Sequence, residues 1–233
     1  MGLGFIHAND LIHRDFHVGN ILQDGTRTFI SDYGLCKPAN ESNDKKIYGV
    51  MPYIAPEILH KKPYTKESDI YSLGIIINAI ISGGLPFNDR PHDRFLALDI
   101  CRGLRPEIRN EVPQALKELI QKCWNADPKN RPTILEIKTS ISDLLSSYDF
   151  KTDKKTTIDS MDTLTLLSYP KTHSQAIYKS RLLDLPDDLP EPVNYTDSQE
   201  PTSIINTIQV QTGNSSQLFI TYWLIQLAEN SLF

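Results

Sequence analysis

The residues most able to do chemistry lie near the start of the 233-residue chain, in His13-Arg14-Asp15-Phe16-His17-Val18-Gly19-Asn20. Asp32-Tyr33-Gly34 begins twelve residues after Asn20. Ala55-Pro56-Glu57, Ser68-Asp69-Ile70-Tyr71-Ser72-Leu73-Gly74 and Asp127-Pro128-Lys129-Asn130-Arg131-Pro132 follow in that order. An isolated Asp15 would most often be a surface carboxylate. Five such motifs at these separations are not coincidence. His7, His13 and His17 cluster and raise the question of a metal, but the run lacks the glutamate and helical setting of a zinc-protease motif. Cys36, Cys101 and Cys123 show neither metal-type nor redox-type spacing.

On these five motifs the sequence resembles the C-terminal lobe of a eukaryotic protein kinase over about residues 1–147. Trp124, Asp127-Pro128 and Arg131-Pro132 look most like the tyrosine-kinase-like group and the tyrosine kinases. The resemblance implies ATP-dependent phosphoryl transfer to a protein hydroxyl, with ATP and Mg²⁺ as cofactors. That chemistry asks for positioning and charge neutralisation more than covalent participation. By resemblance Asp15 is the carboxylate beside the attacking hydroxyl, and Asn20 and Asp32 supply the oxygen ligands that Mg²⁺ prefers. Arg14 is the arginine that pairs with a phosphorylated activation-segment residue, which implies an upstream kinase or other regulatory partner. Leu22 falls at the floor of the adenine pocket. Glu57 and Arg131 match a buried ion pair, Asp69 a carboxylate that holds the catalytic loop's backbone, and His13 a packing residue. Ser42 and Tyr48 are candidate phosphosites, whereas Tyr53 reads as packed.

The elements that must position these residues are mostly helical. Leu11-Ile12-His13 reads as a short buried strand, and the runs on either side of Asp24-Gly25 read as a hairpin. Residues 67–82 form a helix candidate with Glu67 and Asp69 in its first turn, where carboxylates suit the positive end. Its body, 75–81, is apolar on nearly every side and belongs in a core. Gly83-Gly84 and Pro86 end it. A weaker helix spans 94–102. Pro113 opens another, with Leu116, Leu119, Ile120, Cys123 and Trp124 on one stripe. Thr133 and Glu136 make a capping-box pattern before Ile134, Ile137, Ile141, Leu144 and Leu145. The fold class expected is mainly α: a helical kinase C-lobe with a small β-hairpin region at the cleft, over 1–147. Residues 148–233 read as an extended or largely disordered tail, with prolines from Pro170 to Pro201, acidic residues around 184–191 and an apolar end at 217–228.

Composition sets bounds on the alternatives. A net charge of −5 gives no basic face for nucleic acid. The longest apolar stretches, 70–81 and 219–228, fall short of the roughly 20 residues a membrane span needs. An odd cysteine count and no signal-peptide pattern favour an intracellular, cytoplasmic setting.

Three departures from the family pattern qualify the expected function. The glycine-rich lid and the strand lysine have no counterpart: no lysine precedes Lys37, and His7 stands where Gly2-Leu3-Gly4 would need its third glycine. The chain therefore reads as starting in mid-domain, as a lobe inactive or nearly so by itself. The alternative is a pseudokinase-like interaction module without catalysis. His17 replaces a usual lysine; with Asp15 nearby to raise its pKa, it is expected to serve as a pH-dependent cation. Val50 replaces a usual threonine whose hydroxyl would bond the catalytic aspartate. Substrate preference, aliphatic hydroxyl or phenol, stays open.

Overall fold

The computed structural model describes residues 2–24, 27–39, 46–147 and 172–194. Six helices carry the fold: α1 (Leu3–Ala8), α2 (Pro56–Leu59), α3 (Lys66–Ser82), α4 (Arg94–Cys101), α5 (Gln114–Cys123) and α6 (Ile134–Ser147). Three two-stranded antiparallel ladders complete it among the described residues. β1 (Leu11–Ile12) pairs with β4 (Lys37–Pro38). β2 (Ile21–Asp24) pairs with β3 (Arg27–Ile30), in register from Ile21↔Ile30 to Asp24↔Arg27. β5 (Ile47–Gly49) pairs with β6 (Arg181–Leu183), from Ile47↔Leu183 to Gly49↔Arg181.

α3 is the axis of the described fold. Ile70, Leu73, Ile75, Ile76 and Ile77 are all buried, as a helix apolar on every side requires. The helix starts one residue earlier than the carboxylates suggest, at Lys66. The Ser68 hydroxyl there accepts from the Thr65 N–H and donates to the Thr65 carbonyl. Gly83 closes the helix in the left-handed conformation that glycine adopts without penalty. α5 packs directly on it at Gly74, where a Cβ would come within 2.7 Å of Cys123 Cβ. Only glycine lets the two backbones approach that closely.

α5 buries the stripe Leu116, Leu119, Ile120 and Cys123, and α6 buries Ile137 and Ile141. The capping box that opens α6 forms as expected: Glu136 accepts from the Thr133 N–H and hydroxyl, and the Glu136 N–H donates to Thr133 Oγ1.

Residues 172–194 depart from the low-order reading of the tail. They run extended, with prolines at 186, 190 and 192, but they lie against the helices. Leu183, Leu185 and Leu189 join the buried core, and Leu182 faces out. The apolar end at 217–228 lies outside the described residues, as does Ser42.

The lower helices are tied together by one ion pair. Arg131 Nη1 and Nη2 donate to Glu57 Oε1 and Oε2 at 2.6 and 2.7 Å. Arg131 also donates to the carbonyls of Glu67 and Asn125. Its guanidinium is wholly buried, so removing the carboxylate strands a charge. Glu57→Ala is expected to cost about 3–5 kcal/mol in urea unfolding, and a methionine pair at both positions less than that. A Glu57→Ala loss below about 1 kcal/mol would contradict this role.

Candidate active site

Asp69, in the first turn of α3, is buried to 1% exposure and accepts three hydrogen bonds. The backbone N–H groups of His13 and Arg14 donate to Oδ2 and Oδ1 at 2.8 and 3.0 Å. The His7 ring donates to Oδ2 at 3.0 Å. Arg14 is held at φ 72°, a left-handed conformation that a non-glycine residue adopts only when its surroundings impose it. The loop that follows is thereby aimed by a carboxylate 55 residues further along the chain.

Asn20 and Ser31 lock the other end of the loop. Asn20 Nδ2 donates to the Asp15 carbonyl at 2.8 Å, and the Asn20 carbonyl accepts from the Ser31 N–H at 2.8 Å. With its amide nitrogen committed, Asn20 offers Oδ1 as its side-chain ligand. His13 is fully buried. Its Nε2–H donates to the Ser31 carbonyl, and its ring sits 5.7 Å from those of Phe16 and Tyr33. It is a packing residue, as its motif position implies.

Asp15 and Asn20 are both buried, while Asp32 is exposed at the start of the turn Tyr33–Leu35. Asp32 has φ 59°, and its Oδ1 accepts from the Gly34 N–H at 3.3 Å. Asp15 Oδ1 is buried and accepts no hydrogen bond among the described residues. Val50, which lines the same hollow as Asp15, brings methyl groups and no donor. Gly49 stands on the other side: a Cβ there would lie 3.3 Å from Asp15 Oδ1, and its φ of +139° suits glycine alone. Spacing gave no hint of this close approach.

His17 corrects an expectation. Its pKa is lowered from the usual value, not raised. Burial dominates; the carboxylate of Asp15, with Nε2 to Oδ1 at 3.8 Å, opposes it but does not win. Nδ1 accepts from the Gly19 N–H at 3.1 Å, which places the ring proton on Nε2, the side of Asp15. Near neutral pH His17 is an uncharged donor.

The three histidines that raised the question of a metal are engaged separately, with Asp69, Ser31 and Gly19. Arg14 lies over the Tyr64 ring at 4.4 Å, and Tyr64 donates to the Tyr48 carbonyl. Burial pushes the Tyr64 phenol up to about 12. Tyr48 is exposed within β5, Tyr53 is buried, and Leu22 is 54% exposed on β2 opposite Phe29. The segment leading into α4 holds a residue that sequence reasoning passed over. His92, just before the helix, is buried and hydrogen-bonded through both ring nitrogens to Ile177 and Phe87.

A family model described as the protein kinase domain matches residues 1–141. The chain belongs to the protein kinase family. It is 32% identical over 146 residues to the serine/threonine-protein kinase STY17 of Arabidopsis thaliana, covering 62% of this chain and 26% of that protein. It is 35% identical over 157 residues to the tyrosine-protein kinase receptor torso of Bombyx mori, covering 63% and 19%. A dual specificity protein kinase, shkD of Dictyostelium discoideum, is 30% identical over 162 residues, covering 66% and 22%. The chain thus spans about a quarter or less of the length of these relatives.

The lowered His17 pKa fixes a sign. The unfolded imidazole takes up its proton near pH 6.5 and the folded one only at lower pH. The unfolded state therefore binds more protons in that window, and stability falls as pH drops through it. The melting temperature is expected to fall between pH 7.5 and 5.5, and His17→Asn to reduce that fall. An equal fall in both proteins would contradict the assignment.

Proposed function

We propose that this chain is the helical C-terminal lobe of an ATP-dependent protein kinase, of the tyrosine-kinase-like or tyrosine kinase group, that transfers a phosphoryl group to a protein hydroxyl. The observation that carries the reading is the catalytic loop itself. Asp15 keeps an unbonded carboxylate oxygen in a buried hollow while Asn20 and Asp69 fix the backbone on either side of it. Asp15 Oδ1 carries no resident donor, so a hydroxyl that reaches it, once the packing that now covers the atom yields, donates without displacing one. Asp15 would orient that oxygen and accept its proton as the new O–P bond forms and the phosphoryl's bond to the departing nucleoside diphosphate breaks. Neutral His17, carrying its proton on Nε2, adds a hydrogen-bond donor where a lysine would add a charge.

The oxygen donors present fit Mg²⁺: Asn20 Oδ1 and the Asp32 carboxylate would hold the ion. When bound, Mg²⁺–ATP brings the transferable phosphoryl and neutralises the charge that develops on it. Asn20 suits the task because its amide nitrogen is already spent on Asp15. Leu22, exposed on β2, is the residue we assign to the floor of the adenine site.

Arg14 we assign to recognition of a phosphorylated activation-segment residue, with Tyr48 the exposed candidate and Ser42 a second. The relatives include serine/threonine, tyrosine and dual specificity kinases, and they support a protein substrate without choosing its hydroxyl. We place the protein inside the cell, in a reducing compartment. Its buried Cys101 and Cys123 are thiols, pushed by burial up to about 11 and about 12. Among the described residues no helix is long and apolar enough to cross a membrane.

No glycine-rich lid or phosphate-gripping strand lysine can be read in the sequence, so these 233 residues alone should transfer phosphate slowly. With radiolabelled ATP, Mg²⁺ and a peptide mixture bearing serine, threonine and tyrosine, we expect weak transfer. Asp15→Asn should reduce it by about 10²–10⁴-fold, and Asp32→Asn should lower it and raise the Mg²⁺ concentration it requires. Transfer indifferent to both substitutions would contradict the proposal.

A further inference from the structure

β5 has an unusual partner. It lies next to the candidate catalytic carboxylate, since a Cβ on Gly49 would approach Asp15 Oδ1 to 3.3 Å. Its outer edge is covered by β6, which arrives from 134 residues further along the chain. A strand edge is a row of unpaired backbone donors and acceptors, ready to take any extended peptide. Here residues 172–194 take it.

The segment is held along its whole length. At its start the His173 N–H donates to the Asn88 carbonyl, the Ile177 N–H donates to His92 Nδ1, and Tyr178 donates to the Pro86 carbonyl. The Tyr178 ring meets the His92 ring edge-on at 4.8 Å. Arg181 then donates to the His92 carbonyl at 2.7 Å as β6 begins. Leu183, Leu185 and Leu189 are buried in succession. Among and after them the chain is acidic, and two of its carboxylates meet basic residues. Asp187 pairs with Lys61, and Glu191 lies 3.7 Å from His60 and 3.8 Å from Lys62. At the far end the Val193 N–H donates to the Cys101 carbonyl, and Asn194 bonds Ala126 and Asn125.

These holds differ in kind from those of the helical core. A ladder of three residue pairs is marginal without support. Asp187 and Glu191 are largely exposed, so their ion pairs add little and weaken with salt. What remains is three buried leucines and a scatter of single hydrogen bonds, mostly to the loops around His92 and Asn125, with no continuous ladder beyond β6. A segment so attached opens locally, well before the lobe unfolds.

We propose that β5, α2 and α4 form a docking groove for an extended peptide bearing spaced leucines and acidic residues. Residues 172–194 occupy it in cis as a displaceable strap. While the strap is seated, no second peptide can take the edge of β5 that β6 occupies. The groove and its occupant stand independently of catalysis. Only the consequence, that the strap restricts a protein substrate's approach to Asp15, rests on the kinase reading.

The test uses the full chain and a fluorescein-labelled synthetic peptide of residues 172–194, without nucleotide, so its outcome is separate from that of the transfer assay. In the intact chain the groove is filled, so labelled peptide should bind at least tenfold more weakly than to a Leu183→Asp variant. That variant should also show at least tenfold faster amide exchange across Ile47–Gly49, with exchange in α3 unchanged. A peptide itself carrying Leu183→Asp should fail to bind either protein. If Leu183→Asp disturbs folding, the milder double variant Leu185→Ala with Leu189→Ala, which trims the other two buried leucines, provides the same two readouts. Equal binding to intact and loosened chains would overturn the proposal. So would β5 amides that stay protected, or a folded, loosened chain that takes up no peptide.

Discussion

Asp69 is one buried carboxylate with three donors: two consecutive backbone N–H groups from the catalytic loop and the His7 ring. A charge at 1% exposure is tolerable only when such donors surround it. Its place in the first turn of α3 adds the favourable end of the helix dipole. The same bonds hold Arg14 in a left-handed conformation that it would otherwise leave. The direction of the loop, and so the position of Asp15, follows from this contact.

The remaining constraints converge on the same helix. Ser72 on α3 donates to the Tyr53 carbonyl, anchoring the segment that carries Val50 and Gly49 against Asp15. Arg131 reaches the Glu67 carbonyl in the first turn of α3 while clasping Glu57 at the head of α2. Gly74 lets α5 press onto the middle of that helix. A buried ion pair such as Glu57–Arg131 contributes less to net stability than its short distances suggest, because both charges must leave water. Its value is geometric: it joins three segments at one point. The helix is therefore the rigid body, and the candidate catalytic residues are carried on loops bonded to it.

Much of this could be read from local patterns. The all-round apolar body of 75–81, the Thr133–Glu136 box and the stripe through Leu116 and Cys123 became the helices they suggested, because short-range periodicity survives in this core. Asp69 and Asn20 bond the backbone on either side of Asp15. What escaped the sequence was set by burial and by distant pairing. The lowered His17 pKa depends on how much water the ring loses, which no spacing reveals. The approach of Gly49 to Asp15 joins residues 34 positions apart and appears only in the folded chain. The union of β5 with β6 joins residues more than 130 apart. One local signal did exist: Leu183 and Leu185 alternate with Asp184, a strand-like period of two, amid prolines and acidic residues that masked it. His92 had no signal at all, since its importance comes from the segment docked on it.

The claim that one carboxylate aims the loop is tested most directly on the amides it holds. In Asp69→Asn the side chain keeps its size but loses its charge and presents amide donors to the loop N–H groups. Hydrogen exchange followed by NMR should show the His13 and Arg14 amides losing at least tenfold protection, with the amides in the middle of α3 unchanged. If the His13 and Arg14 amides stay as protected as in the unaltered chain, the loop is held by something other than Asp69, and the account of this site is wrong.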